Sequence, residues 1–140
     1  MNSNLVKLGQ DALALMNSGQ KAEAIKLFSA IIEQQPNWEH GQVFYDLAVC
    51  YEDLKEFDKA LQNYLRALEY EPRNPYFLGG YASFLYLHGD PKIAFEQHLK
   101  LWRIESHNEH SSAKVMIPLR ELSKRLGLSD QELENRLKET

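Results

Sequence analysis

The short stretch ESHNEH, residues 105–110, has the side chains best suited to metal chemistry. His107 and His110, with Glu105 or Glu109, offer the nitrogen and oxygen ligands that zinc binds in proteins. No other His or Cys in the sequence stands at a matching spacing, and polar loops are expected between structural elements. We therefore interpret the stretch as a solvated loop, and we predict no metal site and no cofactor.

Catalytic side chains also lack a suitable setting. Cys50 is the single cysteine, so it cannot form an internal disulfide, and no basic neighbour on its predicted helix would stabilise a thiolate. His98 lies on an apolar stripe, which is typical of a packing residue. Neither the phosphate-binding motif G-x-x-x-x-G-K-[ST] nor the nucleophile motif G-x-S-x-G occurs. We predict that the protein is not an enzyme.

The composition favours one folded, acidic domain. The 140 residues are 44% hydrophobic, and 16 basic against 20 acidic side chains give a net charge of -4. This charge supplies no general attraction to nucleic acid or to anionic membranes. The opening residues MNSNLVKLGQDALALM lack the basic start and unbroken apolar run of a secretion signal, so we expect a cytoplasmic protein.

The most apolar window is PYFLGGYASFLYLHGD, residues 75–90. It is shorter than the ~20 residues that span a bilayer, and it is bounded by Pro75, His88 and Asp90. We predict a helix in a folded domain and no membrane span. Each of the adjacent residues Gly79 and Gly80 costs about 1 kcal/mol of helix propensity relative to alanine. Our hypothesis is that they leave a flat patch that a partner's backbone can approach.

Three segments of similar pattern follow one another. Two sets of equivalent alanines recur with the same steps of 36 and then 34 residues: Ala12, Ala48 and Ala82, and Ala24, Ala60 and Ala94. The two extra residues of the first step fall in NWEH, residues 37–40. Apolar residues at i, i+3, i+4 and i+7 predict a helix in each half of a segment, as in Phe44, Leu47, Ala48 and Tyr51. Turn signals separate the halves, so each segment predicts a helical hairpin.

These residues resemble the tetratricopeptide repeat (TPR) family, whose hairpins carry Leu and a small residue before Tyr, then Ala-x-x-x-aromatic and a closing proline. The second segment holds nearly the full pattern: Leu47, Ala48, Tyr51, Ala60, Tyr64 and Pro72. The third departs from it at His98 and Ser106. The resemblance implies an all-α fold, a right-handed TPR superhelix (α-solenoid) of three hairpins. We expect one domain over residues 1–140, with repeats at about 5–37, 41–74 and 75–108 and capping helices at about 109–140.

The C-terminal segment has two interpretations. Apolar residues at helical spacing, Ser129 and Glu132 in a capping box and Leu133 predict a capping pair of helices. Pro118 lies within the first helical stripe, so we expect a kink there or a helix that begins near it. The alternative is a DNA-binding helix-turn-helix. The second helix, SDQELENRLKE, carries four acidic and two basic residues, which disfavours contact with phosphates.

In TPR proteins the first helix of each repeat lines a concave groove that binds peptides, and the resemblance implies a peptide-binding groove here. From the first two repeats the matching residues include Val6, Gly9, Leu13, Met16, Asn17, Gln42, Tyr45, Asp46, Val49, Glu52 and Asp53. From the third repeat they are Tyr76, Gly79, Gly80, Ser83, Tyr86 and Leu87, followed by His110, Lys114, Ile117 and Glu121 from the capping helix. TPR domains that bind acidic chaperone tails use a clamp of basic and amide side chains, which the residues at those positions here do not form. We expect instead a partner segment with apolar or aromatic anchors and a basic residue near the acidic positions.

The sequence therefore predicts a protein–protein interaction module, an adaptor or a small chaperone. Chaperones of bacterial type III secretion are a more specific alternative, since they share this length, acidity and plan. A DNA-binding regulator is a second alternative. Binding on the convex face and self-association as a homodimer are other uses of the same surfaces. We expect neither nucleic acid nor membrane as a partner.

Overall fold

The structure is a computed structural model and describes residues 2–139. These residues form eight α-helices, which confirms the predicted all-α fold. The helices are α1 Ser3–Asn17, α2 Lys21–Gln34, α3 Gln42–Asp53, α4 Phe57–Tyr70, α5 Pro75–His88, α6 Pro91–Glu105, α7 Glu109–Arg125 and α8 Asp130–Lys138. A 3₁₀ turn, Trp38–Gly41, precedes α3.

The chain divides into two compact units, the first ending at Pro72 and the second beginning at Arg73. In the first unit α1 packs on α2, α2 on α3 and α3 on α4. In the second unit α6 packs on α5, α7 and α8. The predicted hairpins correspond to α1–α2, α3–α4 and α5–α6. One domain over residues 1–140 stays a prediction.

Several helices begin at a side chain that accepts hydrogen bonds from backbone N–H groups of the first turn, as capping residues do. These residues are Asn2, Asn74, Asp90, Asn108 and Ser129. Pro91 occupies the first turn of α6, where proline is tolerated. Ser129 Oγ accepts from the Glu132 N–H at 3.1 Å, which is one half of the predicted capping box.

Small and aromatic residues fill the cores in the predicted pattern. The six repeat alanines, Ala12, Ala24, Ala48, Ala60, Ala82 and Ala94, are all 0% exposed. Alanine at these positions lets neighbouring helices approach closely, and large side chains fill the gaps beside them. In the first unit Phe28 and Ile31 of α2 pack with Leu5 of α1 and Leu47 of α3 in one apolar cluster. The repeat spacing therefore identified core positions correctly.

The turn of the second hairpin holds a strained residue. Lys55 has φ +62°, in the left-handed region where the equivalent turn of the first hairpin has Gly19. A side chain in that region costs about 1–2 kcal/mol, whereas glycine pays a smaller cost in the unfolded chain. We therefore expect Lys55→Gly to stabilise the protein by about 0.5–1 kcal/mol. Urea unfolding measures this gain. Glu56→Gly, at a residue with φ −90°, is the matched control and should destabilise.

The insertion between the first and second repeats coincides with the 3₁₀ turn, Trp38–Gly41. Glu39, His40 and Gly41 all lie in the left-handed region, with φ +54°, +52° and +97°. Such a run is unfavourable for residues with a Cβ and persists only where its surroundings hold it. Trp38 packs against the apolar cluster and holds one end of the turn, while the buried Gly41 holds the other. The insertion therefore places Trp38 and Glu39 beside α1 and α3.

The C-terminal helices complete the second unit. Leu119, Leu122 and Leu133 are buried, as the predicted stripes require. Pro118 lies inside α7, which runs unbroken from Glu109 to Arg125. The alternative that a helix begins near Pro118 is therefore wrong, because the helix has already formed two turns before the proline. At this interior position the proline removes one backbone hydrogen bond and its ring crowds the carbonyl group four residues earlier.

Helix α5 is rich in apolar residues because much of it lies in the core: six of its residues are buried, among them Phe77, Leu78 and Phe84. It is 14 residues long. Across residues 2–139, no helix has both the length and the apolar character needed to cross a membrane. The apolar window of the sequence is thus a core helix of the second unit.

Candidate functional site

A small cavity of about 160 Å³ lies in the first unit, between α1, α3 and the 3₁₀ turn. We call it the α1–α3 pocket. Its walls and floor are mainly apolar: Leu5, Val6, Gly9, Leu13, Phe28, Ile31, Trp38 and Val43. Its polar lining residues are Gln10, Glu39 and Asp46. One water occupies about 30 Å³ in the liquid, so the pocket has the volume of about five waters. This is roughly the size of one large side chain.

Helix geometry explains why these side chains meet. Val6, Gly9 and Leu13 are spaced by three and four residues, so they share one face of α1. Leu13 is 41% exposed, and a Cβ on Gly9 would meet only Ile31 Cδ1, at 4.0 Å. The small Gly9 therefore leaves space between the larger side chains of α1. The structure thus gathers Val6, Gly9, Leu13 and Asp46, four of the positions expected in the groove, around one cavity.

Asp46 is the most unusual group in the pocket. It is only 7% exposed, and its Oδ1 accepts a hydrogen bond from Gln42 Nε2 at 3.1 Å. Burial raises the pKa of the Asp46 carboxyl from 3.8 to about 6. The Gln42 hydrogen bond lowers that pKa, while the negative charge of Glu39 raises it. At pH 7 the pocket therefore contains a buried carboxylate that is mostly ionised.

Other predicted groove residues of the first unit have structural partners. Tyr45 is only 8% exposed, and its ring meets Tyr64 edge-on at 5.7 Å. Glu52 Oε1 accepts a hydrogen bond from the Tyr64 hydroxyl at 2.7 Å, and Asp53 pairs with Lys21 at 3.1 Å. Replacing Tyr45 would therefore disturb the fold as well as any binding. Their assignment to a groove stays a prediction.

The remaining predicted positions of the first unit differ in accessibility. Asn17 is exposed, Met16 packs partly against the apolar cluster, and Val49 is half-buried. In the second unit Tyr76 is 62% exposed and Ser83 is exposed. Whether these side chains contact a partner stays a prediction.

The glycine pair and Tyr86 of α5 are partly covered within the second unit. Gly79 and Gly80 are half-buried, and a Cβ on Gly79 would lie 3.8 Å from Leu101 Cδ2. The Arg125 guanidinium lies 4.9 Å from the centre of the Tyr86 ring. The hypothesis of a flat patch at the two glycines stays untested.

Trp38 and Glu39 line the pocket but were not among the residues expected in the groove. They fall in the insertion between repeats, outside the positions that the repeat pattern assigns to the groove. The one signal in the sequence was that Trp38 and Glu39 occur in NWEH, where the step between repeats is 36 residues instead of 34.

The nucleophilic and basic groups are held in unreactive forms. Burial raises the pKa of the Cys50 thiol to about 11, so the thiolate is scarce at neutral pH. His98 is 3% exposed with Nδ1 2.8 Å from the Ala94 carbonyl oxygen, and burial lowers its pKa. His98 thus fills a core position where the repeat pattern has an aromatic residue. Among residues 2–139, no three His, Cys, Asp or Glu side chains are grouped to hold a metal ion.

Helix α8 is arranged as a cap. Arg136 pairs with Glu96 of α6 at 2.7 Å and lies over the Phe95 ring at 5.5 Å. It also pairs with Glu139 at 3.3 Å. Asp130, Glu132 and Glu134 of this helix are exposed. An acidic surface whose arginine is already paired does not favour DNA phosphates.

The helical hairpins and the core alanines define a tetratricopeptide-repeat protein. Sequence models of the tetratricopeptide repeat match residues 5–37 and 41–74, which are the first two predicted repeats. Residues 5–37 and 41–74 of the chain are therefore tetratricopeptide repeats. A search of curated protein sequences finds no significant match.

Solved structures with this fold include chaperones and peptide-binding domains. The type III secretion chaperone SycD of Yersinia enterocolitica, in complex with a peptide of the translocator YopD, has a TM-score of 0.79 at 19% identity, covering 89% of this chain and 96% of SycD. PcrH, which is from Pseudomonas aeruginosa, was solved with the chaperone binding region of PopD; the TM-score is 0.78 at 20% identity, covering 89% and 95%. The first TPR of Spaghetti (RPAP3), bound to the HSP90 peptide SRMEEVD, has a TM-score of 0.72 at 16% identity, covering 88% and 95%. At these identities the likeness establishes the fold.

Proposed function

We propose that the protein is a non-enzymatic adaptor or small chaperone that binds a segment of a partner protein at the α1–α3 pocket. The observation that carries this proposal is the pocket itself, an apolar cavity at the positions where the TPR fold presents peptides. Leu13 at its edge keeps 41% of its surface exposed, so an apolar side chain is available to a ligand at the pocket. Small pockets that accept an anchor residue carry much of the energy of peptide recognition.

The solved structures support a chaperone more specifically. SycD was solved with a peptide of the translocator YopD and PcrH with the chaperone binding region of PopD, and the likeness extends over nearly the whole of each chain. We propose the type III secretion translocator chaperone as the narrower form of the function. Its ligand would be a segment of a translocator protein.

An acidic chaperone tail is a poor ligand for the pocket. The peptide SRMEEVD, bound by one similar domain, contains three acidic side chains. In this chain the pocket presents Asp46 and Glu39, which would repel such a peptide. We therefore expect this TPR protein to select neutral or basic segments.

The test is affinity capture from the native cell with mass spectrometry of the recovered proteins. Leu13→Asn removes an apolar side chain at the pocket, and Leu65→Asn removes one of equal exposure, 43%, from α4. We expect Leu13→Asn to lower recovery of the specific partner about tenfold, as loss of an interface anchor does. Leu65→Asn should leave recovery near the wild-type level.

Thermal unfolding followed by circular dichroism shows whether both leucine variants are folded at the temperature of capture. Equal recovery of every partner by folded Leu13→Asn and wild type would contradict a binding role of the α1–α3 pocket.

A further inference from the structure

We propose that the α1–α3 pocket is a specificity pocket for a basic side chain, a lysine or arginine of the bound partner segment. Asp46 would receive the charged group, while the apolar walls would pack against its hydrocarbon stem. This inference rests on the proposed function and adds the chemical class of the anchor residue.

The Asp46 carboxylate has no counterion in the part of the chain that the structure describes. Only 7% of the Asp46 surface is exposed, and a buried carboxylate is costly unless it is paired. In the described part of the chain its one hydrogen-bond donor is the neutral amide of Gln42, and it makes no ion pair. A cation from a partner would supply the charge that the protein itself does not.

The elements around Asp46 confirm the charge imbalance. Helix α1 presents the uncharged Gln10 as its polar group, and α2 presents the apolar Phe28 and Ile31. The 3₁₀ turn adds Glu39, a second negative charge. Within residues 2–139 the pocket lining thus carries two carboxylates and no basic side chain.

The apolar walls of the α1–α3 pocket fit the hydrocarbon stem of a lysine or arginine side chain. Both side chains have an apolar stem that packs on apolar surface while the charged end reaches a polar group. Val6, Leu13 and Trp38 provide that surface at the walls. The indole ring of Trp38 is also the aromatic surface that attracts cations most strongly.

The pH dependence of binding follows from the same geometry. In the free protein the Asp46 pKa is about 6, raised by burial, and a bound cation would lower it. Above about pH 7 the carboxylate is already mostly ionised, so affinity is expected to be constant. Below pH 6 binding must displace a proton, so the affinity should fall by up to tenfold for each pH unit.

The experiment is selection from a displayed library of random dodecapeptides against the full chain. We expect wild-type selections to share a lysine or arginine next to apolar residues, and Asp46→Asn selections to lose it. Asp11→Asn is the control, because it removes an exposed α1 carboxylate that pairs with Lys7 outside the pocket. Glu39→Gln tests the carboxylate at the rim separately.

Affinities of one selected peptide then complete a double-mutant cycle. The Kd of the wild-type protein for the peptide should rise at least about thirtyfold when the basic residue of the peptide is replaced by norleucine, as for a buried charge pair. Asp46→Asn should bind both peptides with similar affinity, which identifies the coupled pair.

Selected peptides without a basic residue, or peptides that bind wild type and Asp46→Asn equally, would overturn this inference and leave the proposed function standing. If no variant enriched any peptide, the proposed function would fail together with it.

Discussion

Asp46→Asn should stabilise the folded protein at pH 7 by about 2–3 kcal/mol. The folded-state pKa of Asp46 is about 6 against 3.8 for an ordinary aspartate, because burial disfavours the charged form. This pKa difference corresponds to about 3 kcal/mol, the amount by which the ionised Asp46 carboxylate destabilises the folded state. Asparagine keeps the size of the side chain and can still accept the Gln42 hydrogen bond.

The sign of this effect depends on pH. A carboxyl with a raised pKa binds more protons in the folded state, so its contribution to stability falls as pH rises from about 4 to 6. Asp46→Asn and wild type should therefore differ little in free energy of unfolding near pH 3.5. Above about pH 7 the difference should reach a plateau. Urea unfolding at several pH values measures it.

A gain that is the same at every pH would contradict the ionisation argument. Asp11→Asn serves again as the control, since it removes an exposed carboxylate and should change stability by less than about 1 kcal/mol. If Asp46→Asn proves more stable and also binds less, the carboxylate is a feature that costs stability and supports function.

Gly41→Ala should destabilise the protein by about 3 kcal/mol. Gly41 has φ +97°, where a residue with a Cβ pays about 1–2 kcal/mol. The new Cβ would also lie 3.0 Å from the Ala67 carbonyl oxygen and 3.1 Å from Tyr70 Cβ, both on α4. The backbone oxygen cannot move away as a flexible side chain would, so overpacking adds about 1–3 kcal/mol.

Gly19→Ala separates the two causes in the Gly41 prediction. Gly19 has a similar φ of +84°, but a Cβ there would meet no atom within 4 Å. It should therefore cost only the backbone contribution of about 1–2 kcal/mol. Equal losses in the two variants, measured by urea unfolding, would show that the close approach of Gly41 to α4 carries no energy.

Much of the fold could be predicted because the repeat pattern records packing directly. The alanines at fixed steps had to lie where helices cross, and the structure buries all six completely. Pro118 was harder to place from sequence, because proline is unfavourable in a helix but its cost can be offset by the packing of residues such as Leu119 and Leu122.

The candidate site was predicted less well, for a physical reason. Helical periodicity separates inward from outward positions, but it does not measure how deeply a side chain is covered. Tyr45 and Asp46 were both expected to face a ligand, and they are 8% and 7% exposed. The pocket also depends on Trp38 and Glu39, whose position comes from three left-handed residues that no periodic pattern encodes.

The division of the chain after Pro72 gives each compact unit its own tryptophan, Trp38 in the first and Trp102 in the second. Both indoles are half-buried, so their fluorescence should change when the surrounding helices unfold. Replacing one tryptophan at a time by phenylalanine leaves a reporter for a single unit. Repeat proteins unfold as units coupled to their neighbours. The two reporters would thus measure the cooperativity between the halves of this chain.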